Sequence, residues 1–158
     1  MKIEERIQYI VNWIINYTHT IDNQSTTLVV GVSGGIDSAV TSTLCAKTNL
    51  KTIVVSMPIN QNPTQHSLSI RHIEWLEKYY KNIKSYVINL DQIFKSFQNT
   101  MGNFDNELAF ANSRARLRMV TLYQIAQSKK GIVVGTGNKV EDFGIGFYTK
   151  YGDGGVDI

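Results

Sequence analysis

Eight consecutive residues, Gly31-Val32-Ser33-Gly34-Gly35-Ile36-Asp37-Ser38, stand between an apolar run and an amphipathic one. Their types fit an anion site. Glycines at 34 and 35 let the backbone approach an oxyanion closely, because no side chain intervenes. Ser33 and Ser38 add hydroxyl donors. The N–H groups that open a following helix, together with its dipole, add partial positive charge. Asp37 would repel a bare phosphate, so it asks for a cation; a phosphate chain carrying Mg²⁺ meets both demands. The stretch is not GxxxxGK[ST], since no lysine occurs from Gly31 to Ala46, and it is not GxGxxG. A plain helix cap, with Ser33 as N-cap and Asp37 complementing the dipole, uses the same residues and stays open at this point.

The elements that must position this loop can be read from periodicity. Ile3, Ile7, Ile10, Val11, Ile14 and Ile15 mark an amphipathic helix ending near Tyr17 to Thr20. A polar linker, IDNQST, leads to a strand from Leu28 to Val32, and a helix follows from Ser38 to Lys47. A second strand is expected over Thr52 to Met57, limited by Pro58, then a helix from His66 to Tyr80 and a strand from Ser85 to Leu90. Asp91 can cap a short helix through Phe97. One long helix spans Asn106 to Lys129, and Ile132 to Val134 forms a fourth strand entering a glycine-rich loop. Apolar strands alternating with helices imply a doubly wound parallel α/β sheet, Rossmann-like, with helices on both faces. Ligands of such sheets bind beyond the carboxyl ends of the strands, where the Gly31 to Ser38 loop begins.

Two acids, Asp37 and Glu141, follow the carboxyl ends of two strands and can face one site, although either can equally be a solvated loop acid. Lys150 and Asp157 flank Gly152, Gly154 and Gly155, in a loop able to close over a ligand or serve as a plain turn. At about 100° per residue, Arg114 and Arg118 share the sheet-facing side of the long helix, where they are expected to pair internally or snorkel. Arg116 shares the opposite side with Val120 and Tyr123. With Leu117 these residues make a second apolar face, which a second subunit would cover. Composition bounds the rest. The 158 residues are 42% hydrophobic and 18% charged, which suits one domain with an ordinary core. Net charge is +3, with no basic patch that would suit a nucleic acid. Cys45 is the only cysteine and reads as a buried structural thiol in a reducing, cytoplasmic setting. No secretory signal or membrane span is expected.

The stretch Ser33-Gly34-Gly35-Ile36-Asp37-Ser38 resembles the pyrophosphate loop of the ATP pyrophosphatase superfamily, whose folds are adenine nucleotide alpha-hydrolase-like. Its members cleave ATP between the α- and β-phosphates and adenylate an acceptor. Two later stretches, ANSRARLRM (residues 111–119) and GTGNKVEDFGIGFYTKYGDGGVDI (residues 135–158), resemble NAD synthetase more closely. That resemblance implies one synthetase domain over residues 1–158. It implies ATP binding by Gly31, Val32, Ser33, Gly34, Gly35, Ile36, Asp37, Ser38 and Thr136. It implies Mg²⁺ on Asp37 and Glu141, and deamido-NAD on Arg116, Lys150 and Asp157. The implied partners are deamido-NAD, ammonia and a second copy of the chain. The sequence departs from the family pattern at Val140, where many members carry a small residue, and between Glu141 and Lys150, where it is slightly longer. Family members are longer overall and carry a further ATP lysine and threonine downstream, so the C-terminal part is expected to be missing here. No glutamine-hydrolysing domain is expected, which leaves ammonia as nitrogen donor. A tRNA-modifying or other adenylating enzyme, or a nucleotide-binding dimerisation module without turnover, are the alternative readings.

Overall fold

A computed structural model describes residues 2–21 and 26–158; residues 22–25 of the expected polar linker lie outside them. The elements run α1 (Ile3–Ile21), β1 (Thr27–Gly31), α2 (Ile36–Lys47), β2 (Thr52–Ser56), α3 (Pro63–Tyr79), β3 (Ile83–Val87), α4 (Asp91–Thr100), α5 (Glu107–Ser128) and β4 (Gly131–Val134). A 3-10 turn, Gly102–Phe104, precedes α5. A π-helical segment, Val140–Ile145, follows β4 in what the sequence presented only as a glycine-rich loop. The strands lie in the order β3-β2-β1-β4, each pair parallel. The chain leaves β1 toward β2 on one side and returns as β4 on the other. That reversal leaves a crevice beyond the carboxyl ends of β1 and β4.

Side-chain alternation along the strands divides the core into two layers. Val29, Ile53, Val55 and Val133 face one way and pack with Phe94 of α4 and Phe110, Met119, Leu122 and Ala126 of α5. Leu28, Val30, Val54, Ile132 and Val134 face the other way, against Ile14 of α1, Cys45 and Ala46 of α2, and Ile73 and Leu76 of α3. The expected two-faced parallel sheet is thus present.

Four boundaries differ from the sequence reading for identifiable reasons. α3 starts at Pro63 rather than His66, because Asn62 accepts the Thr64 N–H at 2.9 Å and Pro63 occupies the first turn. α2 starts at Ile36, with Gly35 rather than Ser33 at its N-cap. β3 is the edge strand, only partly buried, and it ends at Val87; Ile88 and Leu90 still donate to Ser56 and Pro58 carbonyls as the chain diverges. Asp91 does not cap α4. It is the first helical residue, and its carboxylate accepts from the Asn60 N–H (2.6 Å), which ties α4 to the β2–α3 connection.

Cys45 is fully buried, and burial pushes its thiol up to about 12. The folded-state value is raised, so the contribution to stability is complete below the unfolded thiol value and is lost as pH climbs to about 12. Native protein is therefore expected to resist alkylation at pH 8 and to react on unfolding. Chemical denaturation above pH 9 should show wild type losing stability relative to Cys45→Ala.

Candidate functional site

The turn between β1 and α2 is held by its own serines. Ser38 Oγ accepts the Ser33 N–H (3.2 Å) and donates to the Gly35 carbonyl (3.0 Å), and it lies 3.1 Å from Ser33 Oγ. Ser33 Oγ accepts the Gly35 N–H at 3.2 Å. Both hydroxyls, expected to face a ligand, thus also shape the loop. Ser42 adds a brace one turn on, donating to the Ser38 carbonyl at 2.7 Å. Gly34 has φ +92°, and a Cβ there would collide with the Gln65 carbonyl at the start of α3. Its glycine is required by left-handed backbone and by helix packing. Gly35 suits close approach by a ligand, since a Cβ there would meet only Ser33 Oγ, at 3.4 Å. Behind it, the N–H groups of Ile36 and Asp37 open α2 and have no intrahelical acceptor.

A cleft of about 460 Å³ opens from the base of this loop. Gly31, Val32 and Ser33 at the end of β1 line it, with Met57 beyond β2, Val134 at the end of β4, and Gly135 and Thr136 beyond it. Gln61 lines it too, and its Nε2 donates to the Ser33 carbonyl at 2.7 Å, tying the loop to the β2–α3 connection. The sequence reading missed Gln61; its place after the strand beside β1 was the available signal. The opposite wall is α5, through Ala115, Arg118, Met119 and Leu122. The two sheet-facing arginines separate here. Arg114 lies over the Phe94 ring, 5.7 Å from its centroid. Arg118 donates Nε–H to the Met57 carbonyl (3.0 Å) and faces the cleft. Burial, and after it the Arg114 charge, lowers the Arg118 pKa.

The two acids are connected through Asn138, which the sequence reading passed over although it stands in GTGNK. Its Nδ2 reaches Asp37 Oδ2 at 3.5 Å, and its Oδ1 accepts the Val140 and Glu141 N–H groups at 3.1 and 3.0 Å. One amide therefore links the α2 carboxylate to the turn that carries Glu141. Asp37 is half-buried and Glu141 exposed. Among the described residues no cluster of three or more histidine, cysteine or acidic side chains exists. Two carboxylates without softer ligands fit a hard divalent cation that takes its other ligands from phosphate and water.

The remaining expected residues lie on the glycine-rich segment, which docks on α5 rather than standing free. Thr149 Oγ1 donates to Asn112 Oδ1 (2.8 Å), Gly152 packs on Ala115, and Arg116 donates Nε–H to the Lys150 carbonyl (3.1 Å). Lys150 Nζ lies 5.0 Å from its neighbour Tyr151's ring centroid. Asp157 turns away from the others. Its carboxylate accepts the Val133 N–H (2.7 Å) and the Tyr123 hydroxyl (3.2 Å), while its own N–H donates to the Val133 carbonyl. The Gly135 N–H donates to the Ile158 carbonyl at 2.7 Å, so the final residues run along the outer edge of β4. Burial first, then the Asp157 carboxylate, raises the Tyr123 phenol above its usual value.

The model of the NAD synthase family matches residues 6–158. The chain belongs to the NAD synthase family. It is 44% identical over 133 residues to an NH(3)-dependent NAD(+) synthetase of Saccharolobus solfataricus, covering 82% of this chain and 45% of that one. Its counterpart in Carboxydothermus hydrogenoformans is 37% identical over 163 residues, covering 98% and 63%. The structure of an NMN synthetase from Francisella tularensis superposes with a TM-score of 0.89 at 35% identity, over 100% of this chain and 63% of that one. The chain thus spans about half to two thirds of the relatives it matches. Membership of the NAD synthase family selects the expected member over a tRNA-modifying enzyme, and no helix among the described residues is long and apolar enough to cross a membrane.

Asp157→Ala removes the acceptor of a fully buried strand N–H, a loss of about 1–3 kcal/mol. Urea denaturation should show that loss, and hydrogen exchange at Val133 and Gly135 should accelerate while β2 is unaffected.

Proposed function

We propose that this chain forms the nucleotide-binding part of an ammonia-dependent NAD synthetase that uses ATP to amidate deamido-NAD. The carrying observation is the cleft itself: the first residues of the Gly31–Ser38 loop, Gly31, Val32 and Ser33, line it with Thr136 and Arg118 at the β1/β4 crevice of an NAD synthase family chain. The loop N–H groups and the start of α2 receive the outer phosphates of ATP. Asp37 and Glu141, linked through Asn138, hold Mg²⁺, which supplies charge neutralisation on the departing pyrophosphate. Arg116 and Lys150 at the docked glycine-rich segment serve deamido-NAD; Asp157, whose carboxylate is held by the Val133 N–H and the Tyr123 hydroxyl, contributes by fixing the end of that segment. The nicotinate carboxylate oxygen attacks the α-phosphorus, and the bond to pyrophosphate breaks. Ammonia then attacks the acyl carbon of the adenylate, AMP leaves with the C–O electron pair, and nitrogen sheds a proton. The protein's part is position and charge.

A mononucleotide acceptor is the second reading, favoured by the resemblance to the Francisella tularensis NMN synthetase. Pyrophosphate release with ATP, Mg²⁺ and ammonium separates the two: dependence on deamido-NAD supports the first and dependence on nicotinate mononucleotide the second. Asp37→Ala is expected to lower that release at least roughly 100-fold. Calorimetry gives a readout independent of turnover, and equal Mg²⁺-dependent ATP binding by wild type and Asp37→Ala would sink the metal assignment.

The same reading includes a two-fold assembly through α5. Val120 is 65% exposed beside Arg116. Leu117, expected on that face, packs instead against the core, which narrows the face to Val120 and Tyr123. Val120→Asp places like charges against each other across a symmetric interface. Sedimentation is expected to give a dimer for wild type and a monomer for the variant; a dimeric variant at low micromolar concentration removes α5 from the interface.

A further inference from the structure

Arg118 lines the cleft as a cation, and the reading above gives it no ligand group to bind. Its Nε–H is fixed on the Met57 carbonyl at 3.0 Å, which orients the guanidinium from α5 toward the end of β2. It lines the same cleft as Ser33, Gly135 and Thr136, which stand on the other wall. Among the described residues no carboxylate lies within ion-pair distance of it. Asp153 lines the same cleft, but its Oδ1 accepts the Thr149 N–H at 2.8 Å. The nearby arginine, Arg114, is occupied on the Phe94 ring. A half-buried, unpaired cation in a concave site is costly unless an anion joins it. A planar guanidinium with one N–H already committed offers its remaining donors in a fork suited to phosphate oxygens.

The geometry of the loop says which phosphate. Only its first residues, Gly31, Val32 and Ser33, line the cleft, while Gly35 to Ser38 lead into α2 outside it. A triphosphate whose outer groups rest at the start of α2 enters the cleft with its innermost phosphate leading. We propose that Arg118 binds the α-phosphate of the nucleotide, across the cleft from the loop. This rests on reading the cleft as a nucleotide site. Arg118 is then the group that meets the phosphorus under attack, while Arg116, on the other side of α5 and bonded to the Lys150 carbonyl, organises the glycine-rich segment.

The test compares AMP with adenosine, ligands that differ by that phosphate alone. Calorimetry on the chain should show AMP preferred by wild type. Arg118→Met should reduce the preference roughly 10- to 100-fold, the loss of a charge-assisted hydrogen bond, with adenosine and inorganic pyrophosphate binding unchanged. Arg118→Lys should recover part of it. An AMP preference unchanged in Arg118→Met overturns the assignment; so does an unchanged AMP preference with weakened binding of the pyridine nucleotide, which would place Arg118 on the acceptor carboxylate. Wild type that binds neither AMP nor ATP overturns the nucleotide reading itself. Should Arg118→Met fail to fold, the Arg118 guanidinium NMR signals of wild type, assigned by their absence in Arg118→Lys, decide instead. They must shift with AMP and stay still with adenosine, and a signal indifferent to AMP overturns the proposal.

Discussion

The structure depends on the burial of β1, complete but for its last residue, Gly31. Leu28, Val29 and Val30 have no exposed surface, so every backbone polar group of this strand must be paired within the protein. Parallel β2 supplies partners on one side and parallel β4 on the other. Parallel neighbours cannot be joined by tight turns, so each connection carries a helix across a face of the sheet. With β2 reached from one side of β1 and β4 from the other, the helices diverge and a crevice opens at the end of β1. The loop that leaves β1 has nowhere else to emerge. The site is a consequence of how the central strand satisfies its hydrogen bonds.

Within that crevice the polar groups divide their labour. Ser33 and Ser38 spend much of their hydrogen-bonding capacity on the loop's own shape. Gln61 and the close approach of Gly34 to α3 fix the loop against its neighbours. The N–H groups at the start of α2 are left for a ligand by a rule of helix geometry rather than by a special arrangement. A site built this way is organised before a ligand arrives, which reduces the ordering it must undergo on binding.

Charge in the site is distributed by element. The carboxylates come from α2 and from the turn after β4, and Asn138 ties the Asp37 carboxylate to the backbone of the turn that carries Glu141. Cations come from α5, where one helical turn sends Arg114 to an aromatic ring, Arg118 into the cleft and Arg116 to the glycine-rich segment. Asp157 belongs to a third system. Its carboxylate fastens the end of the chain to Val133 and Tyr123, and the Tyr17 hydroxyl reaches its carbonyl from α1 at 3.2 Å. The segment docked on α5 and the anchoring of the last residues thus form one short stretch of chain.

Residue order alone determined the alternation of strands and helices, because buried parallel strands must be continuous apolar runs and helices must repeat their apolar positions every three or four residues. It also determined where an anion loop could sit, since Gly34-Gly35 followed by Asp37 and a helical pattern carries its own local reason, and it placed Arg116 opposite Arg114 and Arg118 by simple rotation about α5. Tertiary structure decided what rotation could not. The same face of α5 holds Arg114 over Phe94 and Arg118 against Met57, because α4 covers one end of that face and the cleft lies at the other. Leu117 joined the core although its angle grouped it with Val120. β3 became a half-buried edge, which its composition did not announce. The contacts of Gln61, Asn138 and Asp157 could not be read from the sequence for one physical reason: each acts on a partner 28, 101 or 24 residues away, and only the folded sheet brings those partners within a hydrogen bond.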